Sequence, residues 1–545
     1  MTQLVHGWAS EHSDVLTIES IGRSFEGRDI WALTLTDPAT GAPDTKPAYL
    51  TEANIHAGEV TGQATVLWLL HHMLTSRSKD PEVDWVLRNT TSYFIPAINV
   101  DGMDAILSGR PGDIRSSVRP FPDKEPKDGL IEEDLDGDGI IRWMRVKDAS
   151  GPWKVSSADD RVMEKRTPIE TGGDYYHILP EGRIKNWDGG AVPLSPDLLG
   201  LDANRNFPTG WKPHWHQPGA GEFPLSEPET RALAQFLVNH PNIHGSQHFH
   251  TFSGVILRPP TQHTQEDLPE LDRNVLKAIG AMGTEITGYP CISIFDDFAY
   301  DKKKPTTGNL MDFVFDQLGA IPYATELWSL PKKAGIEVKD FIGFFKDRDP
   351  SVDAAMLKVL GEQMGGEGFK RWEPFDHPQL GAVEIGGWDH VFTWQNPPGP
   401  WLEEVTEPNA RFVLKAMQTA PLLRIREATA QPIGDGTVKI SVLLENTGYL
   451  PTYVTETARK VGANKPIKVT IQAAEGAELI TGKVETEIGH LSGRSNQYGF
   501  LSWGGVFPID SRAIVTWVLR QSGGSVYVSA GTAKAGTVTA EIALP

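Results

Sequence analysis

An imidazole and a carboxylate stand three residues apart in His56-Ala57-Gly58-Glu59, directly after the apolar run Ala48-Tyr49-Leu50. A nitrogen donor and an oxygen donor so placed can share one metal ion. The chain has a single cysteine, Cys291, so a cysteine zinc site and an intrachain disulfide framework are excluded. Any metal must therefore be held by His, Asp and Glu. His244, His248 and His250 share strand parity, and spacing alone admits each of them as a further ligand. Glu326 ends another apolar run, Ala320–Leu327, and Asp202-Ala203-Asn204-Arg205-Asn206 gathers an acid, amides and a cation in one turn. A second cluster, Asp134-Leu135-Asp136-Gly137-Asp138-Gly139-Ile140-Ile141, follows the first half of a calcium loop, with acids at positions one, three and five and Gly at six. Position twelve is Arg145 rather than Glu, which argues against a full EF-hand. Asp134, Asp136 and Asp138 are then either a local structural calcium site or an acidic turn in water.

These residues need a frame. Strand-like runs at Asp29–Thr36, Pro47–Ile55, Thr91–Ile98, Ile243–His250, Gly254–Leu257 and Ala320–Leu327 alternate with helix-like runs at Val60–Thr75, Ser226–Val238, Gln265–Ile286 and Glu403–Met417. Alternation of this kind predicts an α/β fold with a mixed, largely parallel sheet flanked by helices. It places His56 and Glu59 in a loop at a strand's C-terminal end, where open α/β sheets carry their sites. Ser226-Glu227-Pro228-Glu229 predicts a helix start with Ser226 as its N-cap. Between about 103 and 200 the chain is rich in Gly, Pro, Asp and Lys, which predicts a long loop-rich insertion on the sheet's rim. From Leu422 onward, short β-rich runs at Val438–Leu444, Ile467–Ala473, Ala513–Leu519 and Ser525–Ser529 predict a separate all-β sandwich. The expected domains are thus 1–421 and 422–545.

Taken together and in order, the motifs resemble those of the zinc metallocarboxypeptidases of the pancreatic carboxypeptidase A/B type. The ligand motif is His56-Ala57-Gly58-Glu59. The family's Asn-Pro-Asp-Gly turn appears as Asn99-Val100-Asp101-Gly102, with Val in place of Pro. Asp202 to Asn206 matches the Asp-x-Asn-Arg-Asn segment, His250-Thr251-Phe252 the third-ligand motif, and Glu326-Leu327 the catalytic Glu-Leu. Ile21 to Arg28 looks like the family's entry turn. The resemblance covers about residues 10–420.

It implies one zinc held by His56, Glu59 and His250, with a position left for water. His248 becomes a packed or supporting residue, and Asp202 the carboxylate that orients the His56 ring. Glu326 would be the general base, and an arginine beside a Trp would face the developing negative charge. Arg142-Trp143-Met144-Arg145 offers two, of which Arg145 is preferred. Asn204 and Arg205 would grip the substrate's terminal carboxylate, the guanidinium fork suiting a bidentate contact. Tyr300 is the candidate for the family's mobile substrate-binding tyrosine, although a longer stretch than usual follows it. Met311, before Asp312, would line the side-chain pocket and argues against C-terminal Lys or Arg. The implied activity is hydrolysis of the C-terminal bond of a peptide or protein with a free C-terminus. Rivals are an amidase or peptidoglycan-stem hydrolase on the same fold, or a binding module with a dead site.

Bulk properties narrow the partners. A formal net charge of −20 argues against nucleic acid or an anionic membrane as a main partner. No run approaches membrane-spanning length. The first residues lack a basic stretch followed by an apolar core, so no signal peptide is expected in this chain. A cytoplasmic location follows, or a secreted one if a leader has been removed.

Overall fold

The computed structural model describes all residues except 111, 113, 475, 497–508 and 522. Its principal sheet has eight strands. The four at its centre, Thr91–Ile95, Ala48–Ala53, Ile243–Thr251 and Ile321–Leu327, run parallel in that order. Outside them, Leu16–Arg23 and Asp29–Leu35 add antiparallel strands on one edge. Val255–Arg258 lies antiparallel to Ile321–Leu327 on the other, with Cys291–Ser293 beyond it. Every residue of Ala48–Ala53 and of Ile243–Thr251 is buried. Ala48-Tyr49-Leu50 is the continuous apolar run that such doubly covered strands favour, whereas Ile243–Thr251 buries mostly polar side chains, among them His244, His248 and His250.

Helices cover both faces. Val60–Ser76, Glu270–Thr287 and Leu402–Met417 pack on one side, their apolar residues forming a core with Phe249, Ile256 and Tyr323. Pro228–Asn239 covers the other face with Leu233, Phe236 and Leu237. Its start corrects the Ser226 expectation. Glu227 is the cap residue and Pro228 the first helical one, because Asn206 and Glu227 take up the Ser226 hydroxyl. Gly62 has a specific reason to be glycine: a Cβ there would lie 2.9 Å from Ala53 Cβ and 3.0 Å from Phe249 Cβ. The helix after Glu59 can therefore settle directly on two ligand-bearing strands.

The stretch expected to be loops is partly sheet. Gly129–Glu132 pairs with Gly182–Lys185. Trp143–Lys147, Trp153–Val155, Met163–Lys165 and Tyr176–Pro180 form a six-stranded sheet with a distant hairpin, Phe369–His377 and Gly381–Trp388. The insertion's own strands are three to five residues long and mostly half-exposed, too short to show a period of two. Toward the C-terminus, two four-stranded sheets bury Val438, Ile440, Val469, Trp517 and Val528 between them. This is the β-sandwich. It is joined to the α/β part by Lys534, whose buried Nζ donates to the Ile243 carbonyl at 2.7 Å and the Pro241 carbonyl at 3.2 Å. Asp272 adds a second tie by accepting from the Glu456 and Thr457 amides at 2.6 and 2.9 Å.

Candidate metal centre

The site forms at the C-terminal ends of three neighbouring strands. Asn54 adopts a left-handed conformation (φ 57°), which ends Ala48–Ala53 and turns the chain into the His56–Glu59 loop. The loop is pinned from three directions. The Ala57 amide donates to the Arg115 carbonyl at 2.9 Å, and the Ser116 hydroxyl to the Ile55 carbonyl at 3.2 Å. Asn396, more than three hundred residues later, accepts from the Thr61 amide and hydroxyl at 3.0 and 2.8 Å and donates to the Gly58 carbonyl at 2.7 Å. It thus caps the helix that starts beside Glu59. His250 lies opposite Glu326 in the parallel pairing of their strands. The strand carrying Glu326 ends at Trp328, a buried residue with φ 66°, where a bulky side chain is strained.

Three donors converge. His56 Nδ1 is 2.9 Å from Glu59 Oε1, and His250 Nδ1 is 3.1 Å from both His56 Nδ1 and Glu59 Oε2. One donor atom from each lies within 4.8 Å of the others. His56 Nε2 is 3.2 Å from Asp202 Oδ1, so the carboxylate fixes the proton on Nε2 and leaves a lone pair on Nδ1. Two ring nitrogens at 3.1 Å beside a carboxylate are close enough to share one metal ion, and a His2Glu set is a catalytic zinc donor set. The residues fit zinc. His248 does not join them: its Nδ1 faces buried Glu52 at 2.8 Å and its Nε2 faces Ser246 at 2.8 Å.

The electrostatics are polarised. Burial raises the Asp202 carboxyl, but Arg205, Arg115 and His56 outweigh it and hold it well below the usual range. Burial likewise opposes ionisation of Glu59, and His56 and His250 overcome it. Glu326 moves the other way. Partial burial first, then the Glu59 charge, push its carboxyl up to about 8.

Glu326, Asn204, Arg205, Tyr300 and Met311 line one cavity of about 630 Å³ together with the three donors. Asn204 Oδ1 accepts from the Leu310 amide at 2.9 Å, which sets the carboxamide against the Met311 side. Arg205 Nη1 donates to the Asn204 carbonyl at 2.7 Å, while its Nη2 stands 3.9 Å from Asp202. Met311 is buried with Leu257 and Ala324 in a small apolar cluster. Tyr300 is exposed at the cavity's edge, its ring 6.5 Å from that of Phe345.

One expectation needs correction. Arg145 is not in the cavity. Glu384 holds its guanidinium at 2.7 and 3.1 Å, and the rings of Tyr176 and Trp372 sandwich it. Arg142 is likewise taken by Asp138 and the Gly387 carbonyl. The cation beside the donors is Arg115, which donates to Asp202 at 3.2 Å and to Glu59 at 3.3 Å. Its side chain remains 42% exposed, so donors are left for a ligand. No spacing points to it: Arg115 stands between Ile114 and Ser116, with no Trp beside it. The acidic loop brings one carboxylate oxygen each of Asp134, Asp136 and Asp138 within 4.8 Å of the others. Asp134 accepts from the Gly137 and Gly139 amides at 2.8 and 2.9 Å. Lys370 Nζ lies 2.6 Å from Asp136 and 3.2 Å from Asp138, so an ammonium already stands among the carboxylates. The Asn99–Gly102 turn opens a helix, Val100–Leu107, and its Asp101 accepts from Ser24, Glu26 and Arg28, tying the entry turn to the site's floor.

Comparison with known proteins agrees with this geometry. A profile of the zinc carboxypeptidase family matches residues 1–342, and one for a domain of unknown function, DUF8731, matches residues 422–543. Carboxypeptidase A4 of Mus musculus is 23% identical over 354 residues, which is 61% of this chain and 68% of that protein. Carboxypeptidase M of Mus musculus is 32% identical over 102 residues, so the match spans 18% of this chain and only 22% of that relative's length. Among solved structures, thrombin activatable fibrinolysis inhibitor aligns with a TM-score of 0.41 and 15% identity over 76% of this chain and 72% of that one. With the family profile spanning well over half of the 545 residues and the His56–Glu59–His250 donors in place, this chain belongs to the zinc carboxypeptidase family of metalloproteases.

Proposed function

We propose that the protein is a carboxypeptidase that releases single residues from the C-terminus of peptides, with 1–421 as its catalytic unit and 422–545 as a separate sandwich domain. The observation that carries this is the cavity itself: a three-donor zinc site, a carboxyl poised by its surroundings and the guanidinium groups of Arg115 and Arg205 line one enclosure. Bound between His56, Glu59 and His250, zinc supplies a Lewis acid that acidifies water and polarises a carbonyl. The chain does the rest. Glu326 accepts the proton of the attacking water and returns it to the leaving amine. Its raised affinity for protons suits it to hold the proton until the leaving amine takes it. Arg115 faces the carbonyl oxygen that gains charge. Asn204 and Arg205 take the substrate's α-carboxylate. The apolar cluster of Met311, Leu257 and Ala324 receives the terminal side chain and has no countercharge for Lys or Arg. Tyr300, exposed at the edge, is placed to fold over a bound end.

The acidic loop takes a structural role in this account. Calcium would have to displace the Lys370 ammonium from Asp136 and Asp138, which disfavours a calcium site there.

Removing and restoring metal tests the reading. Chelated protein should neither release free amino acids from an unblocked peptide nor recover without zinc, and one equivalent of zinc should restore release. Full activity in metal-free protein would refute it.

A further inference from the structure

The cavity has a second wall that the family match does not account for. Phe345, Arg348, Trp388 and Trp394 all lie beyond residue 342, and Trp143 comes from the insertion. The wall is continuous with the metal donors. Phe252, two residues after His250, packs edge-on against Phe345 and Trp394 at 5.8 and 5.7 Å. Trp394 in turn meets Trp388 at 5.5 Å. Trp143 lines the same cavity and keeps 45% of its surface exposed, so its ring is open to a ligand. Its place is prepared. Gly387 has φ 110°, and a Cβ there would come within 3.2 Å of the Trp143 ring. The one cation in the wall is neutralised: Arg348 lies 4.7 Å over the Trp394 ring and is gripped by Asp353 at 3.0 to 3.2 Å.

Geometry then assigns an occupant. Asn204 is bonded to the Leu310 amide, so the carboxylate grip and the terminal-residue pocket lie on the Leu310–Met311 side of the donors. A substrate held there, with its scissile carbonyl at the donors, continues into the rest of the same cavity, where Phe252, two residues past His250, leads through Trp394 to Trp388. The geometry points to a subsite, built by Trp143, Trp388 and Trp394, for the side chain immediately upstream of the scissile bond, and its chemistry selects an aromatic or large apolar residue. This rests on the carboxypeptidase reading.

Three probes with the same free C-terminal residue test it: N-acetyl-Gly-Phe, N-acetyl-Ala-Phe and N-acetyl-Phe-Phe. With zinc-loaded full-length protein, kcat/KM should rise along the series, by roughly ten- to a hundredfold from Gly to Phe, the range for burying one aromatic side chain. Trp143→Ala should shrink that ratio to within about threefold, and Trp143→Phe should keep most of it. The ratio is internal to each variant, so a general loss of stability does not move it. A flat series in the wild type, or an unchanged ratio in Trp143→Ala, overturns the subsite alone. Failure to cleave any of the three overturns the carboxypeptidase reading and the subsite with it.

Discussion

Exchanging Arg115 for Met should stop the chemistry while leaving the protein folded and able to bind substrate. Arg115 touches Glu59 and Asp202 at 3.3 and 3.2 Å; its own 42% exposure screens the pairs in part, but both carboxylates are buried, so its loss should lower Tm while His56, His250 and Arg205 keep them partnered and the chain folded. Its larger contribution comes only when negative charge develops on the substrate oxygen. Losing one preorganised donor at such a position costs about 3–4 kcal/mol, or roughly 100- to 1,000-fold in kcat. KM should change by no more than a few-fold, because the carboxylate grip at Asn204 and Arg205 is untouched. Arg145→Met is the matched control. It breaks an ion pair with Glu384 and two ring contacts, so it should lower Tm, but below the melting transition its kcat should stay within about threefold of wild type. Steady-state kinetics on one unblocked peptide, with thermal melts of both variants, give the answer. Near-normal kcat in Arg115→Met together with a hundredfold loss in Arg145→Met would refute the assignment and restore the arginine first chosen from sequence.

Glu326→Gln should stabilise the metal-free protein above pH 4.5. The wild-type carboxyl is raised to about 8 in the fold, so its favourable protonated form is fully present below the unfolded value and is lost as pH rises through 8. The amide does not titrate, and its advantage should grow across that window to about 1–3 kcal/mol, discounted because the group is only partly buried. Chemical denaturation at pH 4, 6 and 8 would measure it, and an advantage that shrinks with rising pH would contradict the shift. Millimolar calcium should leave Tm within about one degree, because Lys370 already occupies the acidic loop; a saturable rise, abolished by Asp136→Ala, would reinstate a calcium site.

The sheet and its donors were legible because burial writes them plainly. Ala48–Ala53 is covered on both faces and opens with an apolar run that reads as a strand, while Ile243–Thr251 is as buried but mostly polar, and the ligands lie at or just past the ends of the two. The family resemblance, rather than spacing, selects His250 over His248, which the Glu52 and Ser246 contacts of His248 support. What escaped was held by long-range contact. Asn396 caps the ligand loop from the far end of the chain, and nothing local to residue 396 distinguishes it from a loop asparagine. Arg115 is delivered by the pairing of 114–116 under residues 55–58, a contact with no periodic signature. The insertion sheet has strands of three to five residues that borrow their edge from a hairpin over two hundred residues later, so it read as loop.

The central claim is that the cavity grips a free terminal carboxylate beside a zinc-activated water. It is tested most directly by giving zinc-loaded protein one peptide in two forms, acid and C-terminal amide, and following products by mass spectrometry. Losing the substrate's charge leaves Arg205 without its partner, which costs about 2 kcal/mol or more for comparable pairs. The acid should be trimmed one residue at a time, and the amide at least about 30-fold more slowly. Arg205→Ala should erase most of the difference by crippling the reaction of the acid. Equal cleavage of both forms, or cuts inside the chain, would contradict the account and point to an endopeptidase or amidase built on the same donors.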